Sequence, residues 1–554
     1  MGHEIGEFLR KLNMQGGWKS FIKPLLTVSH WLHRLRRESK SENQGECPEG
    51  PANFERAILE TGYGKFNFLL LLACLPAAWA SVFSSTSISY VLPSAECDLQ
   101  LTMFDKGLLN SMSFAGMIAT AFVWGFLADT VGRKKIMFYG YLCTSIFSFA
   151  SCFSQVSWLL IVFKFLSGVI ISGPYAALMS YLAEIHSDNF RSRVYMWLGV
   201  AFSLGNITLP CLAWLIIPQS WSWNLFNGWL EINSWRIFLA VCSIPEFMAC
   251  FAMSFFPESP RFLLAKKRTD EALIVFKNIY SINTGKHPDT YPIKCLAEEQ
   301  CFKESEESGI VQNILHSWQQ IKPLFQSPNV YKLFLIASIQ FGCTVGSNSL
   351  RLWMPQLFSM IETYTAMHPN SKAVTVCEML SGSKNNSFSS SNNSTQTICT
   401  ENVVNATVYI NSIVIALTGV VGYSLASSLV PIIGKRKLMA FCFMAGGTCC
   451  GILFWAENSS GILGISSVFV ALSSIGGAVV MVIIVENFPT YLRTMAVSVT
   501  MVFGRLGAVV GNLLFPVLFA LGCLGPFIMI GAACLVCAVL TLFLPRKRKE
   551  QIGP

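Results

Sequence analysis

The residues whose types could do chemistry first appear in a short polar break between two long apolar runs. The break carries one acid, Asp129, and three consecutive bases, Arg133 to Lys135. Asp129 can pair with a base or cap a helix end, and the bases suit an anionic lipid surface. Gly125 and Gly132 allow two backbones to approach each other. The pattern is typical of ion pairing in a tight turn between two membrane-spanning helices.

Two further acid–base pairs share one spacing. Glu184 lies seven residues before Arg191, and Glu486 lies seven residues before Arg493. The second pair follows the first by 302 residues. This repetition indicates a chain built from two homologous halves, related about the membrane normal.

The polar break itself has a looser copy at the same offset. Residues 132–135, Gly-Arg-Lys-Lys, return as Gly-Lys-Arg-Lys at residues 434–437. Pro431 stands where Asp129 would recur. A charge latch that uses this acid is therefore expected only in the first half.

The elements that must position these residues are membrane spans. The 554-residue chain is 53% hydrophobic and 13% charged, whereas a soluble protein carries roughly 25% charged residues. The net charge of +9 does not point to a nucleic-acid partner, because the bases cluster at the ends of apolar runs. Twelve apolar runs are each near the ~20 residues that cross a bilayer core, and they predict an all-α membrane protein with twelve transmembrane helices in two six-helix halves. The runs lie at about residues 67–92, 107–128, 136–157, 158–182, 194–217, 236–256, 331–358, 408–430, 438–455, 462–485, 495–519 and 521–544.

The charge of the connecting segments predicts the orientation in the membrane. Twelve spans put both termini on one side, and the short loops of that side carry most of the bases. The positive-inside rule therefore places both termini in the cytoplasm, and no removable signal peptide is expected. The predicted parts are residues 1–65 as an amino-terminal tail, 66–256 as the first half, 257–330 as a cytoplasmic linker, 331–544 as the second half and 545–554 as a basic tail.

Residues 360–407 form a long Ser- and Asn-rich loop, which this orientation places outside the cytoplasm. Four N-glycosylation sequons in the loop favour the secretory pathway, and we expect a multi-pass protein of an intracellular vesicle or of the plasma membrane. Cys377 and Cys399 share the loop and are candidates for a disulfide in an oxidising lumen. No metal-ligand spacing appears among the 19 cysteines. The sequons begin at Asn385, Asn392, Asn393 and Asn405.

Four charged residues lie within predicted spans, where a charge costs at least about 2.5–3.5 kcal/mol. Glu246 and Arg505 lie near the middle of the sixth and eleventh spans, and Lys164 and Arg351 lie nearer the ends of theirs. Arg505 either faces a solute or forms a structural pair. Glu246 is a candidate for solute contact, although a structural or protonated, neutral role is favoured. Lys164 and Arg351 are expected to extend outward to the membrane surface.

The polar break, written as G-x-L-A-D-x-x-G-R-K, resembles the signature loop of the major facilitator superfamily. The element Pro257-Glu-Ser-Pro-Arg261 resembles the sugar-porter and organic-ion branches of that superfamily. Within these branches, several stretches are similar to the synaptic vesicle glycoprotein 2 group, although the 360–407 loop is too short for the large external domain of that group. The similar stretches are residues 91–96, 125–135, 234–236, 257–262, 353–355 and 486–493.

The resemblance implies two halves that alternate access to a central path, with charge pairs that form when the cytoplasmic side closes. Phe202 and Trp353 fall near family positions that line the ligand pocket, and Trp79 lies in another cavity-facing span. An aromatic pocket with Arg505 and few acids favours anionic or zwitterionic solutes. The implied gate residues are Gly125, Asp129, Gly132, Arg133, Lys134, Glu184, Arg191, Glu258, Arg261, Glu486 and Arg493.

The sequence departs from the group at positions suited to proton coupling. Ser81 and Ser84 stand where the first helix of the group carries carboxylates, and Met481 stands at an acidic position of the tenth helix. Simple proton symport is in doubt, because it needs a buried group whose pKa can cross the working pH.

Two functions remain open. The first is transport of a small organic solute across a lipid bilayer by alternating access. The alternative is a vesicle-membrane protein that acts through vesicle-associated partners in trafficking or exocytosis, with little or no transport. The sequence shows no G-x-x-x-x-G-K-[ST] phosphate loop and no evident hydrolytic triad, and neither enzymatic activity nor a cofactor is expected.

Overall fold

The computed structural model describes residues 52–225, 230–297, 322–368, 374–380, 406–488 and 490–544. Within these ranges, eleven helices are long and apolar enough to cross a membrane, or twelve when one bent pair counts as a single span. This confirms the predicted all-α membrane fold. Residues 1–51 of the predicted tail, the asparagines of the four sequons, Cys399 and residues 545–554 lie outside the described residues.

The first half consists of long apolar helices that follow one short helix. Its second span is bent by 45°, where α3 ends at Ala119 and α4 begins at Ala121. The Thr120 hydroxyl donates to the carbonyls of Gly116 and Val169, at 3.2 and 2.8 Å, and such side-chain bonds compete with the helical backbone ladder. The helices are α1 (Phe54–Glu60), α2 (Lys65–Asp98), α3 (Met103–Ala119), α4 (Ala121–Val131), α5 (Arg133–Ala150), α6 (Ser157–Ile185), α7 (Asp188–Ile216), α8 (Ser234–Cys242) and α9 (Ile244–Ser254).

A two-stranded hairpin that the sequence did not predict joins α7 to α8. Strands β1 (Ser222–Leu225) and β2 (Leu230–Asn233) are antiparallel, with Ser222 opposite Asn233. After α9, the link to the second half contains α10 (Pro260–Ala265) and α11 (Thr269–Thr284). Helix α11 packs on α1 through Phe54 and Phe276, whose ring centroids are 5.8 Å apart.

The second half repeats the arrangement with six long helices. Helix α14 begins directly after Gly434, as α5 begins directly after Gly132. Both glycines have positive φ, +85° and +107°, a conformation that other residues rarely adopt. The helices are α12 (Asn329–Met367), α13 (Ala406–Ile433), α14 (Lys435–Leu453), α15 (Ser459–Asn487), α16 (Thr490–Leu521) and α17 (Leu524–Leu542).

The predicted disulfide partner of Cys377 is wrong. Cys377 bonds to Cys523, with a Cα–Cα distance of 5.5 Å and a sequence separation of 146 residues. Cys523 lies between α16 and α17, and this turn reaches the same side of the molecule as the loop after α12. Proximity in the chain was therefore a poor guide to the pairing.

The ends of the spans form two faces of the molecule. The loop face carries the turns at Gly132 and Gly434. The disulfide face, at the other ends of the spans, carries the bond between Cys377 and Cys523.

The two halves pack against each other along α3 with α16 and along α7 with α13. Gly107 allows α3 to approach α16 closely, because a Cβ there would lie 2.7 Å from the Asn512 carbonyl oxygen and 2.8 Å from Cγ of Pro516. The hydrogen bonds that join two described residues across the halves lie at mid-depth or toward the disulfide face. The halves are thus joined from the middle to the disulfide face.

Candidate functional site

A cluster of charged side chains closes the loop face of the first half. The Arg133 guanidinium lies 3.1 Å from the Glu184 carboxylate, and the two side chains are only 13% and 9% exposed. Arg133 also donates to the Ala128 carbonyl at 3.0 Å, and the Ser259 hydroxyl donates to Glu184. The ring of Phe262 lies 5.5 Å from the Arg133 guanidinium carbon. We call Gly132, Arg133, Glu184, Glu258 and Ser259 the loop-face cluster, since they join α5, α6 and the start of α10.

Glu258 anchors the other side of this cluster. Its carboxylate accepts the backbone N–H groups of Lys134 and Ser259, both at 3.0 Å. The turn at Gly132 makes this approach possible, because a Cβ there would lie 2.6 Å from a Glu258 carboxylate oxygen. The carboxylate also lies at the start of α5, where the helix dipole favours a negative charge.

The second half carries the equivalent ion pair in a more open form. Lys435 contacts Glu486, and each residue lies 302 positions after its counterpart in the Arg133–Glu184 pair. These two side chains are 31% and 38% exposed. Arg436 donates instead to the Leu542 carbonyl at 2.5 Å. The internal repeat read from the sequence therefore includes the ion pair.

Several predicted gate residues have other surroundings in the structure. Arg191 contacts Asp188 and Glu55, the latter at 3.6 Å, and does not pair with Glu184. The Arg261 guanidinium carbon lies 5.7 Å from the centre of the Phe54 ring. Gly125 is exposed with open space where a Cβ would stand, Arg493 is half-buried, and the side chain of Asp129 lies outside what the structure describes.

The disulfide face has its own charged contacts, which sequence reasoning missed. Glu96 lies 2.6 Å from the ammonium of Lys106 and accepts from the Gln356 amide at 3.1 Å, so that it connects the two halves. Arg236 is fully buried and lies 2.5 Å from Asp98. The sequence did contain a signal for these contacts. Residues 91–96, 234–236 and 353–355 resemble the family, although no role was assigned to them; they include Glu96 and Arg236 and end next to Gln356.

At mid-depth, aromatic residues of the first half meet a base of the second. The Arg505 guanidinium donates to the Met117 carbonyl at 3.2 Å and lies within electrostatic range of Tyr175. The Tyr175 ring meets Phe202 edge-on, with centroids 5.5 Å apart. Trp79 donates its indole N–H to the backbone next to Phe202, at Ala201, at 3.1 Å. The predicted Arg505, Phe202 and Trp79 thus lie near one another, and Tyr175 was missed.

Trp353 and Arg351 lie on α12, closer to the disulfide face. Trp353 is 1% exposed and stacks on Phe515 at 4.6 Å. Arg351 does not extend outward as predicted: it donates to the side chains of Asn206 at 3.0 Å and Asn348 at 3.1 Å. The prediction failed because a polar partner on α7 lies within reach of the guanidinium.

Glu246 is fully buried inside the first half, away from the contact between the halves. It accepts from the Ser148 hydroxyl at 3.0 Å, and Ser148 lies 3.4 Å from the hydroxyl of Ser167. Ser167 in turn lies 2.8 Å from the hydroxyl of Ser84. A chain of hydroxyls therefore leads from Glu246 to one of the serines that replace the family's first-helix carboxylates.

Lys164 belongs to the same buried region. The prediction that its side chain extends outward to the membrane surface is therefore wrong. The side chain is 3% exposed and donates to the Ser87 hydroxyl at 2.9 Å. It lies within electrostatic range of Glu246. An opposite charge and hydroxyl partners inside the bundle replace the water that a cation would otherwise seek at the membrane surface.

The two six-helix halves carry signature turns at equivalent positions, and they contact each other from mid-depth to the disulfide face. These features define a membrane protein of the major facilitator fold. Among the described residues, no group of three or more His, Cys, Asp or Glu side chains is placed to hold a metal. The chain belongs to the sugar (and other) transporter family, whose model matches residues 77–376, and the major facilitator superfamily model matches residues 392–554.

The curated relatives confirm the resemblance to the synaptic vesicle glycoprotein 2 group. Synaptic vesicle glycoprotein 2C of Mus musculus is 30% identical over 321 residues, which are 58% of this chain and 44% of that protein. Synaptic vesicle glycoprotein 2B of Rattus norvegicus is 24% identical over an alignment of 590 positions, which covers 90% of this chain and 86% of the relative. The chain therefore spans less than half the length of the first of these relatives.

Solved structures with the same fold include sugar transporters. The xylose transporter XylE of E. coli, in a partially occluded inward-open conformation, superposes with a TM-score of 0.61 at 15% identity, over 87% of this chain and all of that one. Its inward-open conformation gives a TM-score of 0.59 at 16% identity, over 88% and 97% of the two chains.

Proposed function

We propose that this chain transports a small organic solute across a membrane by alternating access between its two halves. The observation that carries the proposal is the pattern of contacts: the halves bond to each other only from mid-depth to the disulfide face among the described residues, whereas each half keeps its own ion pair at the loop face. Contacts between the halves at one face and separate halves at the other are what one conformation of a rocking carrier requires.

In this proposal the loop face is cytoplasmic and both termini lie on that side. The bases at the starts of α5 and α14 support this orientation by the positive-inside rule. The described conformation is then open toward the cytoplasm.

The two faces take opposite parts in the cycle. When the cytoplasmic side closes, the loop-face cluster approaches its counterpart around Lys435 and Glu486. The bridge from Glu96 to Gln356 must then break, since the halves rotate apart at the disulfide face. Charged hydrogen bonds of this kind contribute about 1.5–3 kcal/mol each, which allows a population shift between the two conformations.

Uptake of labelled solutes by proteoliposomes tests the proposal. Purified protein is reconstituted and offered sugars, carboxylates, amino acids, amines and nucleotides in turn. Saturable uptake that falls in Glu184→Gln without loss of ligand affinity is the expected result. The matched control is Asp289→Asn, an exposed acid of the linker, which should leave uptake unchanged.

The second candidate is a vesicle-membrane protein that acts through partners in trafficking or exocytosis. The replacement of the first-helix carboxylates by Ser81 and Ser84 favours it, as does the burial of Ser84 against Ser167. Folded protein that takes up no solute in the panel, but that retains a vesicle-protein partner in detergent extracts, would decide for this alternative. Either function places the protein in an intracellular vesicle or in the plasma membrane.

A further inference from the structure

Two arginines of the second half reach into the contact with the first half, Arg505 at mid-depth and Arg351 closer to the disulfide face. Arg505 of α16 donates to the Met117 carbonyl of α3 at 3.2 Å. Arg351 of α12 donates to the Asn206 side chain of α7 at 3.0 Å. Both guanidinium groups are half-buried and both cross from one half to the other.

Neither arginine forms an ion pair with another described residue. Within the part of the chain that the structure describes, no carboxylate lies within 4 Å of Arg351 or Arg505. Their partners are a carbonyl and two amides, which satisfy donors without supplying negative charge. A charge at bilayer depth is costly and normally faces a water-filled cavity or a partner of opposite sign. Two positive charges therefore remain available for an anion.

The contact that holds Arg505 is one that a ligand can replace. The bend at Thr120 ends α3 inside the membrane, and the last carbonyls of a helix lack intrahelical partners and carry partial negative charge. Met117 supplies one of these carbonyls. A carboxylate or phosphate forms stronger, charge-assisted bonds with a guanidinium than a single carbonyl does.

Both arginines border one patch on α7. Phe202 and Asn206 are one helical turn apart and therefore lie on the same face, which is confirmed by the bond from the Asn206 amide to the Phe202 carbonyl at 3.0 Å. Asn206 holds Arg351, while Phe202 meets the Tyr175 ring that lies near Arg505. Phe202 and Asn206 of α7 thus connect the surroundings of Arg505 to those of Arg351.

We propose that Arg351 and Arg505 form a binding site for a small organic anion, best a dianion, whose body packs against Tyr175 and Phe202. This rests on the proposed transport function and specifies its class of substrate. Two guanidinium groups match two anionic groups, since each can bind a carboxylate or phosphate in bidentate fashion. The aromatic faces supply the apolar wall that organic solutes need.

The competing explanation is that both arginines only brace the halves together. A brace contributes to stability whether or not a ligand is present, whereas a binding site contributes to the response to an anion. Charge-retaining variants separate the two, because Arg→Lys keeps the positive charge while it removes the planar, bidentate geometry.

The experiment uses the full chain in detergent and in proteoliposomes. Thermal shift and uptake are measured with succinate, glutarate, benzoate and inorganic phosphate as anions, xylose as a neutral solute and choline as a cation. The variants are R351Q, R505Q, R351K and R505K, and Lys332→Gln at the loop-face end of α12 serves as a control that removes one positive charge far from the patch. The melting temperature of each variant without solute reports its folding.

We expect at least one of the anions to stabilise and enter with wild-type and K332Q protein. The affinity should fall at least tenfold in R351Q and in R505Q and be partly retained in the Lys variants. Binding of xylose or choline that survives in both Gln variants, with no response to the anions, would overturn the anion site and leave the transport proposal standing. Uptake of none of the six solutes by folded protein would count against both proposals.

Discussion

The turn at Gly132 offers a sharp test of how the loop-face cluster is built. Gly132 and Gly434 stand at equivalent places and both have positive φ. A Cβ at residue 132 would lie 2.6 Å from the Glu258 carboxylate, whereas a Cβ at residue 434 would meet no atom within 4 Å. Gly132→Ala and Gly434→Ala therefore share their backbone strain and differ in the contacts with Glu258 and Phe262, because the Cβ at residue 132 would also lie 3.1 Å from the Phe262 ring.

The expected difference follows from the bonds that Glu258 would lose. The backbone strain costs roughly 1–3 kcal/mol in either variant, because both turns have backbone angles that strongly favour glycine. In Gly132→Ala the carboxylate must also move away from the N–H groups of Lys134 and Ser259. Hydrogen bonds to a charged group contribute about 1.5–3 kcal/mol each, and partial exposure of Glu258 reduces this. We expect Gly132→Ala to be less stable than Gly434→Ala by roughly 2–3 kcal/mol.

The assay is denaturant unfolding of the detergent-solubilised protein, with free energies compared within one double-mutant cycle. Glu258→Ala removes the carboxylate and leaves the ring of Phe262 in place, so that Gly132→Ala should cost much less in that background than in the wild type. A coupling energy near zero between residues 132 and 258 would refute the reasoning, as would equal losses in the two glycine variants.

Three further outcomes are expected. Asp129→Asn should slow turnover without weakening ligand binding, and an equal loss of both would contradict a role in gating. Lys164→Met should lower the unfolding free energy by roughly 3 kcal/mol, because it leaves the buried Glu246 without the cation that lies within electrostatic range. The double variant Lys164→Met with Glu246→Leu should recover most of that loss. Strictly additive losses would contradict the coupling of the two residues. His186 lies between the spans, and burial lowers its pKa. The folded state therefore favours the neutral imidazole. The stability that this preference contributes is complete above about pH 6.5 and is lost as the pH falls through lower values. His186→Asn should flatten that part of the melting-temperature profile, and an unchanged pH profile would contradict the assignment.

The sequence predicted the parts of the fold that depend on local composition and on repetition. Apolar length gives the spans directly, because the bilayer core sets the number of residues needed to cross it. The offset of 302 residues led to the right acids, Glu184 and Glu486, and it also relates the bases that pair with them, Arg133 and Lys435.

The partners of individual side chains were harder to predict. Glu184 and Arg191 are separated by the turn between α6 and α7, and the base that reaches Glu184 arrives from α5. The inward course of Lys164 depends on hydroxyls of neighbouring helices, which spacing within one span does not reveal. The role of Arg351 likewise depends on Asn206, which stands in the other half of the molecule.

The disulfide between Cys377 and Cys523 also sets an order of events during synthesis. Cys523 follows Cys377 by 146 residues, which a ribosome adds in about 7–30 s at roughly 5–20 residues per second. In the proposed orientation, Cys377 enters the lumen early and keeps its thiol until nearly the whole second half has been inserted. A chain that stalls before α17 therefore carries an unpaired luminal thiol. Such a thiol can form a mixed disulfide with a protein of that compartment, which would retain the incomplete chain. Formation of the disulfide, in which the two thiols give up two protons and pass two electrons to the oxidant of the compartment, records that the second half is complete.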